Sequence, residues 1–414
     1  MYVKSVEFQN LRCFKEGTLK FRFPDDEIVV QEGVPNFDNV NVILGVNGAG
    51  KTTILRAIAM TFLAQFPNSF NPENMVRKQD LTKNSSAKLF LDVLPTEKPE
   101  RNFNQFEATI SRFSNGEELL SKTVLFIDLQ LLYPILEAHE KNGFFIVAYG
   151  ANRRLELGDF SLSDRQEKHR YFQIITLFSD EVILVPPQTL FKEAKNKEAV
   201  FDLLEQLLPN GIAFNREKLA FGHQNTEIGA FELADGYKSY LAWICDLLYY
   251  MDMVCPLNTK LQDLTGVVLV DEIDLHIHPS WQRNIISHIA ITLPNLQFIF
   301  TTHSPIIAGS VSRENLWVTR ILEDGNSSIE RPETEIYGLN SDQILTSDIF
   351  GLESTRAEGF LDELEILEKK AAQGDNQAAL DLMRGLARGK AALEESPTPD
   401  WVKEIAAKQK AKTT

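Results

Sequence analysis

Apolar and polar positions along the chain predict strands alternating with helices. Residues 2 to 8 alternate as a strand does, and a second strand is expected over about 18 to 30, after Asn10-Leu11-Arg12-Cys13-Phe14-Lys15. The short apolar run Val40 to Leu44 passes through glycines into a helical pattern over 53 to 66, which Pro67 ends. After a polar, loop-like stretch (68 to 86), strands are expected at 88 to 94, 105 to 112 and 121 to 127, the last two joined by a turn at Ser114-Asn115-Gly116. They suggest an antiparallel layer beside the main sheet. Gly143 to Tyr149 reads as a buried strand ending in Gly150-Ala151-Asn152-Arg153-Arg154.

From Leu155 to Phe221 the period turns helical, clearest over Glu198 to Leu208, with Pro186-Pro187 and Pro209-Asn210-Gly211 as punctuation. A strand at 226 to 233 leads into a long apolar helix, and Val267 to Val270 and Leu296 to Thr301 read as buried strands. Beyond residue 352 the chain is charged and helical. Phe360, Leu361, Leu364 and Leu367 form one apolar stripe, and Leu380, Met383, Leu386 and Ala387 another. Pro397-Thr398-Pro399 sets off a Lys-rich tail expected to be mobile, and no sustained heptads occur. The expectation is an α/β protein with a mostly parallel sheet flanked by helices and an antiparallel β layer. Its head covers 1–352 with a helical insertion at about 155–221, and a helical extension covers 353–414.

Composition narrows this. Asp and Glu number 58 against 42 Lys and Arg, a formal charge of −16, so any nucleic-acid contact must use a local patch. Three cysteines without ligand spacing suit a reducing cytoplasm and indicate neither a disulfide framework nor a zinc site. Asp246 and Asp252 interrupt the apolar window from Tyr240 to Cys255, which predicts a buried helix and no membrane span. The N-terminus lacks a signal-peptide pattern.

The chemistry centres on Gly45-Val46-Asn47-Gly48-Ala49-Gly50-Lys51-Thr52 between strand and helix. That is a P-loop, or Walker A motif, in its required context. Backbone N–H groups of Asn47, Gly48, Ala49, Gly50, Lys51, Thr52 and Thr53 are expected at the phosphates of ATP, with the Lys51 ammonium as a point charge. Thr52 is the expected ligand of Mg2+. Val267 to Val270 delivers Asp271 and Glu272 to a strand end, a Walker B arrangement. Asp271 would hold the magnesium and Glu272 would polarise the attacking water. A strand end capped by solvated acids is the alternative. His303 follows the strand ending at Thr301, where a neutral imidazole could donate to the γ-phosphate; a structural histidine is the competing reading. Leu233, Ala234, Asp235, Gly236 and Lys238 open the long helix as a second anion-friendly terminus, or as an ordinary start with an Asp cap. His276 and His278, beside Asp271 and Asp274, leave a metal site open. Arg153 and Arg154 could reach phosphate or nucleic acid, or form a solvated turn.

Walker A, a Leu-x-x-Gly helix start, Walker B with Glu and a later His resemble the ABC-type ATPases. Within them the chain resembles the RecF, SMC and OLD group. Asn10 to Phe14, the block Asp271 to Pro279, Tyr149-Gly150 with Arg153, Tyr337-Gly338, Ile344-Leu345 and Phe350-Gly351 point the same way. The resemblance covers roughly residues 1 to 352. It implies that two copies sandwich two ATP molecules, with Leu233, Asp235, Gly236 and Lys238 of one copy facing the γ-phosphate held by Lys51 of the other. Asp274 and Leu275 would form the D-loop between them. The family usually has Ser where Ala234 stands, which implies slow or partner-regulated hydrolysis, and the pattern assigns no Q-loop glutamine. About sixty residues follow residue 352, without a Toprim or HNH constellation. The whole resembles stand-alone ATPase subunits of bacterial anti-phage systems of the Septu, PARIS and retron-linked kinds. The resemblance therefore implies a homodimer or higher homo-oligomer that controls a separate nuclease effector. The runner-up is a RecF-like repair ATPase clamping DNA, so nucleic acid stays open as a partner. A transporter subunit is disfavoured by the insertion and by Ala234, and a GTPase by the missing Asn-Lys-x-Asp motif.

Overall fold

The N-terminal alternation forms β1 (Tyr2–Leu11), which turns at Arg12-Cys13 into β2 (Phe14–Lys20). The second strand starts earlier than its polarity suggests, because pairing from Leu11↔Phe14 to Ser5↔Lys20 carries Lys15 and Glu16 on the solvent side. This computed structural model describes the chain except at 26–30, 64–73, 79–83, 93–104, 113–116, 123–144, 156–172, 210, 224–225, 230–232, 234, 257–258 and 389–414. The far end of the expected second strand, most of the polar stretch, the Ser114-Asn115-Gly116 turn, Ala234 and the Lys-rich tail therefore lie outside the described residues.

Buried at every position, β3 (Val40–Gly45) enters α1 (Lys51–Leu63) through the P-loop. Then β4 (Ser85–Asp92), β5 (Gln105–Arg112) and β6 (Glu118–Lys122) join the first hairpin in an antiparallel sheet of order β2-β1-β4-β5-β6. This is the expected layer, with β4 opening at Ser85 because Ser85 and Ser86 pair with Ile110 and Thr109. After β7 (Phe145–Tyr149) come α2 (Pro187–Glu193) and α3 (Lys197–Leu207).

The helical expectation fails beyond Pro209. Residues 212 to 228 are a three-stranded antiparallel meander of β8 (Ile212–Asn215), β9 (Ala220–His223) and β10 (Thr226–Ile228). Pro209 and Gly211 stop the helix, and Ile212 and Phe214 then alternate inward. Of the expected strand at 226 to 233, Thr226–Ile228 is β10, and 230–232 lie outside the described residues. Phe214 and Phe221 pack with Phe191 and Phe201 of the two helices, so this segment belongs to the main core.

The long helix is α4 (Asp235–Val254). Asp246 and Asp252, which break its apolar face, are buried and used. Asp246 accepts from the Tyr149 hydroxyl at 3.0 Å and the Val185 amide at 2.7 Å, and Asp252 from the amides of Lys195 and Asn196 at 2.6 and 3.1 Å. Among the described residues no helix is long and apolar enough to cross a membrane. β11 (Gly266–Val270) leads through α5 (Pro279–Gln282) and α6 (Ile285–Thr292) to β12 (Leu296–Thr302). There follow α7 (Pro305–Ala308), β13 (Leu316–Ile321), β14 (Ser327–Glu330) and α8 (Ser341–Leu345).

The central sheet has the order β14-β13-β3-β12-β11-β7, parallel except for the β14 edge. Its alternate residues feed two cores. Val42, Val147, Val268 and Phe298 meet α2, α3 and α4 on one face, whereas Ile43, Ile146, Leu269 and Ile299 meet α1 and the antiparallel sheet on the other. This is the expected P-loop α/β architecture.

The chain divides into two compact units, 1–351 and 352–414. In the second, α9 (Glu358–Ala372) and α10 (Asn376–Arg388) form a helical hairpin turned at Gly374, whose φ is 94°. Leu364, Ala378 and Gly385 are buried, and Arg356 donates to the carbonyls of Gly385 and Leu386 at 2.9 and 2.5 Å. The second stripe is corrected. Met383, Leu386 and Ala387 are exposed, because α10 packs through its small residues and not through that face.

Candidate functional site

The parallel register brings the C-terminal ends of β3, β12, β11 and β7 to one edge, where ligands of open α/β sheets bind. Each end carries a motif. Gly45 leaves β3 beside Thr319, where a Cβ would lie 2.2 Å from the Thr319 hydroxyl oxygen. Asn47 and Gly48 are exposed, Ala49 is buried, and Gly48 and Gly50 hold φ of 81° and 98°. A side chain on Gly50 would enter the Phe14 ring at 2.3 Å, so the β1–β2 hairpin braces the loop just before α1. Thr53 is buried in the first turn of that helix.

Lys51 is only 5% exposed. Its ammonium donates to the carbonyls of Gly45 and Val46 at 3.0 and 3.1 Å and to His303 Nε2 at 2.7 Å. Burial, against the pull of Asp271, Glu272 and Asp274, brings its pKa down to about 8. Nε2 must accept from that ammonium, which requires the neutral imidazole; burial first and the Lys51 charge second hold the His303 pKa below its ordinary value.

Thr52 donates its hydroxyl to Asp271 Oδ2 at 2.7 Å, and Thr301 donates to Asp271 Oδ1 at 2.5 Å. Glu272 sits in the left-handed region with φ 48°, its amide donating to Thr301 Oγ1 at 2.8 Å. Burial, then Asp271 and Asp274, raise its carboxyl above the usual range. Asp274 turns back to accept from the Thr302 hydroxyl at 2.6 Å and the His303 amide at 3.3 Å. Arg153 is buried and neither solvated nor at a surface for nucleic acid. Its Nη2 donates to the carbonyls of Asp271 and Glu272 at 2.5 and 3.0 Å.

The structure thus gathers Lys51, Thr52, Asp271, Glu272 and His303 into one cluster. Of the second group, Leu233 is buried, Asp235 opens α4, Lys238 is half-exposed, and Gly236 meets the His276 carbonyl, 2.2 Å from where its Cβ would be. His276 and His278 are exposed, and the Nδ1 of His278 accepts from the Ser280 amide at 3.2 Å as the cap of α5. Among the described residues no group of three His, Cys, Asp or Glu is arranged to hold a metal ion. Sequence reasoning missed Thr301 and Thr302, whose signal was two hydroxyls directly before His303, and it left the role of Arg153 open. The residues present fit ATP and magnesium. A glycine loop that holds positive φ at Gly48 and Gly50 precedes a helix N-terminus, and a hydroxyl lies against a carboxylate, hard oxygen donors suited to Mg2+.

Among known proteins, the chain is 28% identical over 320 residues to the Septu protein PtuA of Bacillus mycoides (strain KBAB4), covering 76% of this chain and 41% of that one. It is 35% identical over 131 residues to the retron Ec83 probable ATPase of Escherichia coli, 31% of this chain and 24% of that one. The chain therefore spans less than half the length of these two relatives. The SMC head domain from Thermotoga maritima superposes with a TM-score of 0.44 at 14% identity, over 81% of this chain and 100% of that domain. Residues 40–308, from the P-loop strand through the segment after His303, match the family described as "AAA domain, putative AbiEii toxin, Type IV TA system", and the chain belongs to this family of ATPase domains.

Proposed function

We propose that the protein is an ATP-hydrolysing switch that assembles through composite ATP sites and controls a separate effector, a nuclease, in anti-phage defence. The observation that carries the reading is the single cluster of Lys51, Thr52, Asp271, Glu272 and His303 at the sheet edge. On this reading the amides from Asn47 to Thr53 and the Lys51 ammonium hold the phosphates, Lys51 exchanging the Gly45 and Val46 carbonyls for phosphate oxygens. Thr52 and Asp271 would hold Mg2+, which when bound neutralises charge on the outer phosphates. Glu272, a carboxylate with raised proton affinity, accepts the proton of the attacking water. Neutral His303 keeps an N–H for the γ-phosphate. Leu233, Asp235, Gly236 and Lys238 of a second copy complete the site, the head of α4 lending its N-terminal dipole. The effector reading is supported by relatives named for Septu and retron systems.

The test is the solution mass of Glu272→Gln by light scattering, with and without ATP and magnesium, alongside turnover of the native protein. Growth in mass on adding ATP supports sites completed between copies. A mass indifferent to ATP refutes assembly through the nucleotide, and near-native turnover by Glu272→Gln refutes the role of that carboxylate. Lys51→Ala should abolish nucleotide binding.

A further inference from the structure

Beyond the motif residues, one buried cation touches the backbone of both Walker B acids. The chain reaches it by a constrained route. Leaving β7, Gly150 passes so close to the Thr176 carbonyl that a Cβ would lie 2.5 Å from it. Four residues on, Arg154 bridges to Ile183, and its carbonyl accepts from the Leu184 amide at 3.0 Å. Arg153 is thus held from both sides and only 8% exposed. Because β7 and β11 run parallel with Tyr149 opposite Val270, its side chain meets the peptides that follow Val270.

There a single nitrogen, Nη2, serves the carbonyls of Asp271 and Glu272, while Nε and Nη1 are buried without a partner in the structure. For two carbonyl contacts an amide side chain would suffice, and a buried guanidinium with two idle nitrogens is a costly way to make them. What an amide would lack is the charge, and the groups whose charge answers it are Asp271, Asp274 and Glu272. The peptide it grips is also the one at which Glu272 takes its left-handed φ of 48°, a conformation that persists only when its surroundings impose it.

We infer that Arg153 is the positioning residue of the hydrolytic carboxylate: it clamps the Asp271–Glu272 backbone and offsets the three acids packed there, so that Glu272 is aimed before nucleotide arrives. It acts through Glu272 and touches no reacting atom. The inference rests on the hydrolytic reading above and names a residue that reading does not use.

The test is steady-state ATP hydrolysis and direct ATP affinity for the full chain and for Arg153→Gln, Arg153→Lys, Glu272→Gln and the double variant Arg153→Gln/Glu272→Gln. Arg153→Gln should lower kcat by about 100-fold with ATP affinity within about threefold, a misaimed group having effects of that order. Arg153→Lys, which keeps the charge but not the reach and planar shape of the guanidinium, should recover about tenfold of that loss. The double variant should hydrolyse no more slowly than Glu272→Gln alone, because both changes act on one group. An unchanged kcat overturns the inference. So does a loss of affinity in step with kcat, a Lys variant no better than Gln, or a double variant slowed by the product of the two effects. Should Arg153→Gln fail to fold, Arg153→Lys decides by the same split: kcat reduced with affinity kept supports positioning, and both reduced together refutes it. Absence of turnover in the native chain would sink the hydrolytic reading itself, whereas native turnover with Arg153→Gln unimpaired sinks this inference alone.

Discussion

Gly50→Ala measures how firmly the first hairpin braces the nucleotide loop. At φ 98° an alanine is strained in the left-handed region, which costs about 1–2 kcal/mol. Its Cβ would also lie 2.3 and 2.7 Å from two atoms of the Phe14 ring and 2.7 Å from Cys13 Sγ. Phe14 is fully buried and edge-on to Phe8 at 5.1 Å, so the ring has no free direction in which to yield. Overpacking of this kind adds about 1–3 kcal/mol, for a total of about 2–5 kcal/mol. Gly48 supplies the control. It has φ 81°, but nothing lies within 4 Å of its Cβ position, so Gly48→Ala should carry only the strain of about 1–2 kcal/mol. The gap between the variants, about 1–3 kcal/mol, is the contact with the hairpin. It is read as the difference in urea midpoints at equal m-values, without nucleotide. Phe14→Leu makes room, so the double variant Phe14→Leu/Gly50→Ala should be more stable than the sum of its parts predicts. Equal destabilisation by Gly48→Ala and Gly50→Ala, or strict additivity with Phe14→Leu, would refute the brace.

Three further outcomes follow from the same site. Lys51 has a folded pKa of about 8, below its ordinary 10.5, so between those values the unfolded chain binds more protons and stability rises with pH. The nucleotide-free protein should gain up to roughly 3 kcal/mol across that window, and Lys51→Met should lose the gain; parallel pH–stability curves for the two proteins would contradict it. Glu272 must be ionised to accept a proton, and its carboxyl lies above the usual range. The acidic limb of kcat should therefore fall at a higher pH than an ordinary glutamate gives, and a limb at or below the ordinary value would remove it as the base. Because 1–351 is compact by itself, a chain ending at Gly351 should keep ATP affinity. If it also keeps a nuclease effector bound by the full chain, the proposed control of that effector does not run through the C-terminal hairpin.

Much of this site was legible because a P-loop places its demands within eight consecutive residues. Glycines must stand where the backbone meets phosphate, and the lysine and hydroxyl must open the helix. Walker B was equally local, a short apolar strand ending in two acids. What stayed hidden was set by register between strands. Arg153 is buried because β7 pairs with β11, and Thr301 bonds Asp271 because β12 lies on the other side of β11. Neither adjacency is written in the local pattern. The meander at 212 to 228 was misread for a related reason. Strands of three and four residues carry too few positions to separate a period of 2 from 3.6 once helices precede them. The second stripe of the C-terminal unit misled because helix packing chose Ala378 and Gly385, which permit close approach, over the larger Met383 and Leu386.

Gly236 gains a different meaning from the one its motif suggests. The Leu-x-x-Gly pattern reads as an anion-friendly helix start, yet in this chain the glycine is required because the His276 carbonyl occupies the space of a side chain. Trp281, at the end of the same segment, lies edge-on to Tyr240 at 4.3 Å and near Tyr237 at 6.4 Å. The chain that follows Glu272 is therefore packed onto the first turns of α4. At its other end, Asp274 is tied to Thr302 and to the amide of His303, the residue that receives Lys51. On the proposed two-copy arrangement, the group that senses the γ-phosphate in one site and the helix head that completes the other site are joined by one continuous stretch of packed residues. On that arrangement, occupancy of one nucleotide site would alter the surface offered to the second copy without any domain having to hinge, because close-packed segments transmit strain. A side chain at position 236 would wedge that stretch apart while leaving Lys51, Thr52, Asp271 and Glu272 in place, so the glycine serves the packing of this stretch as well as the helix start proposed to complete the second site.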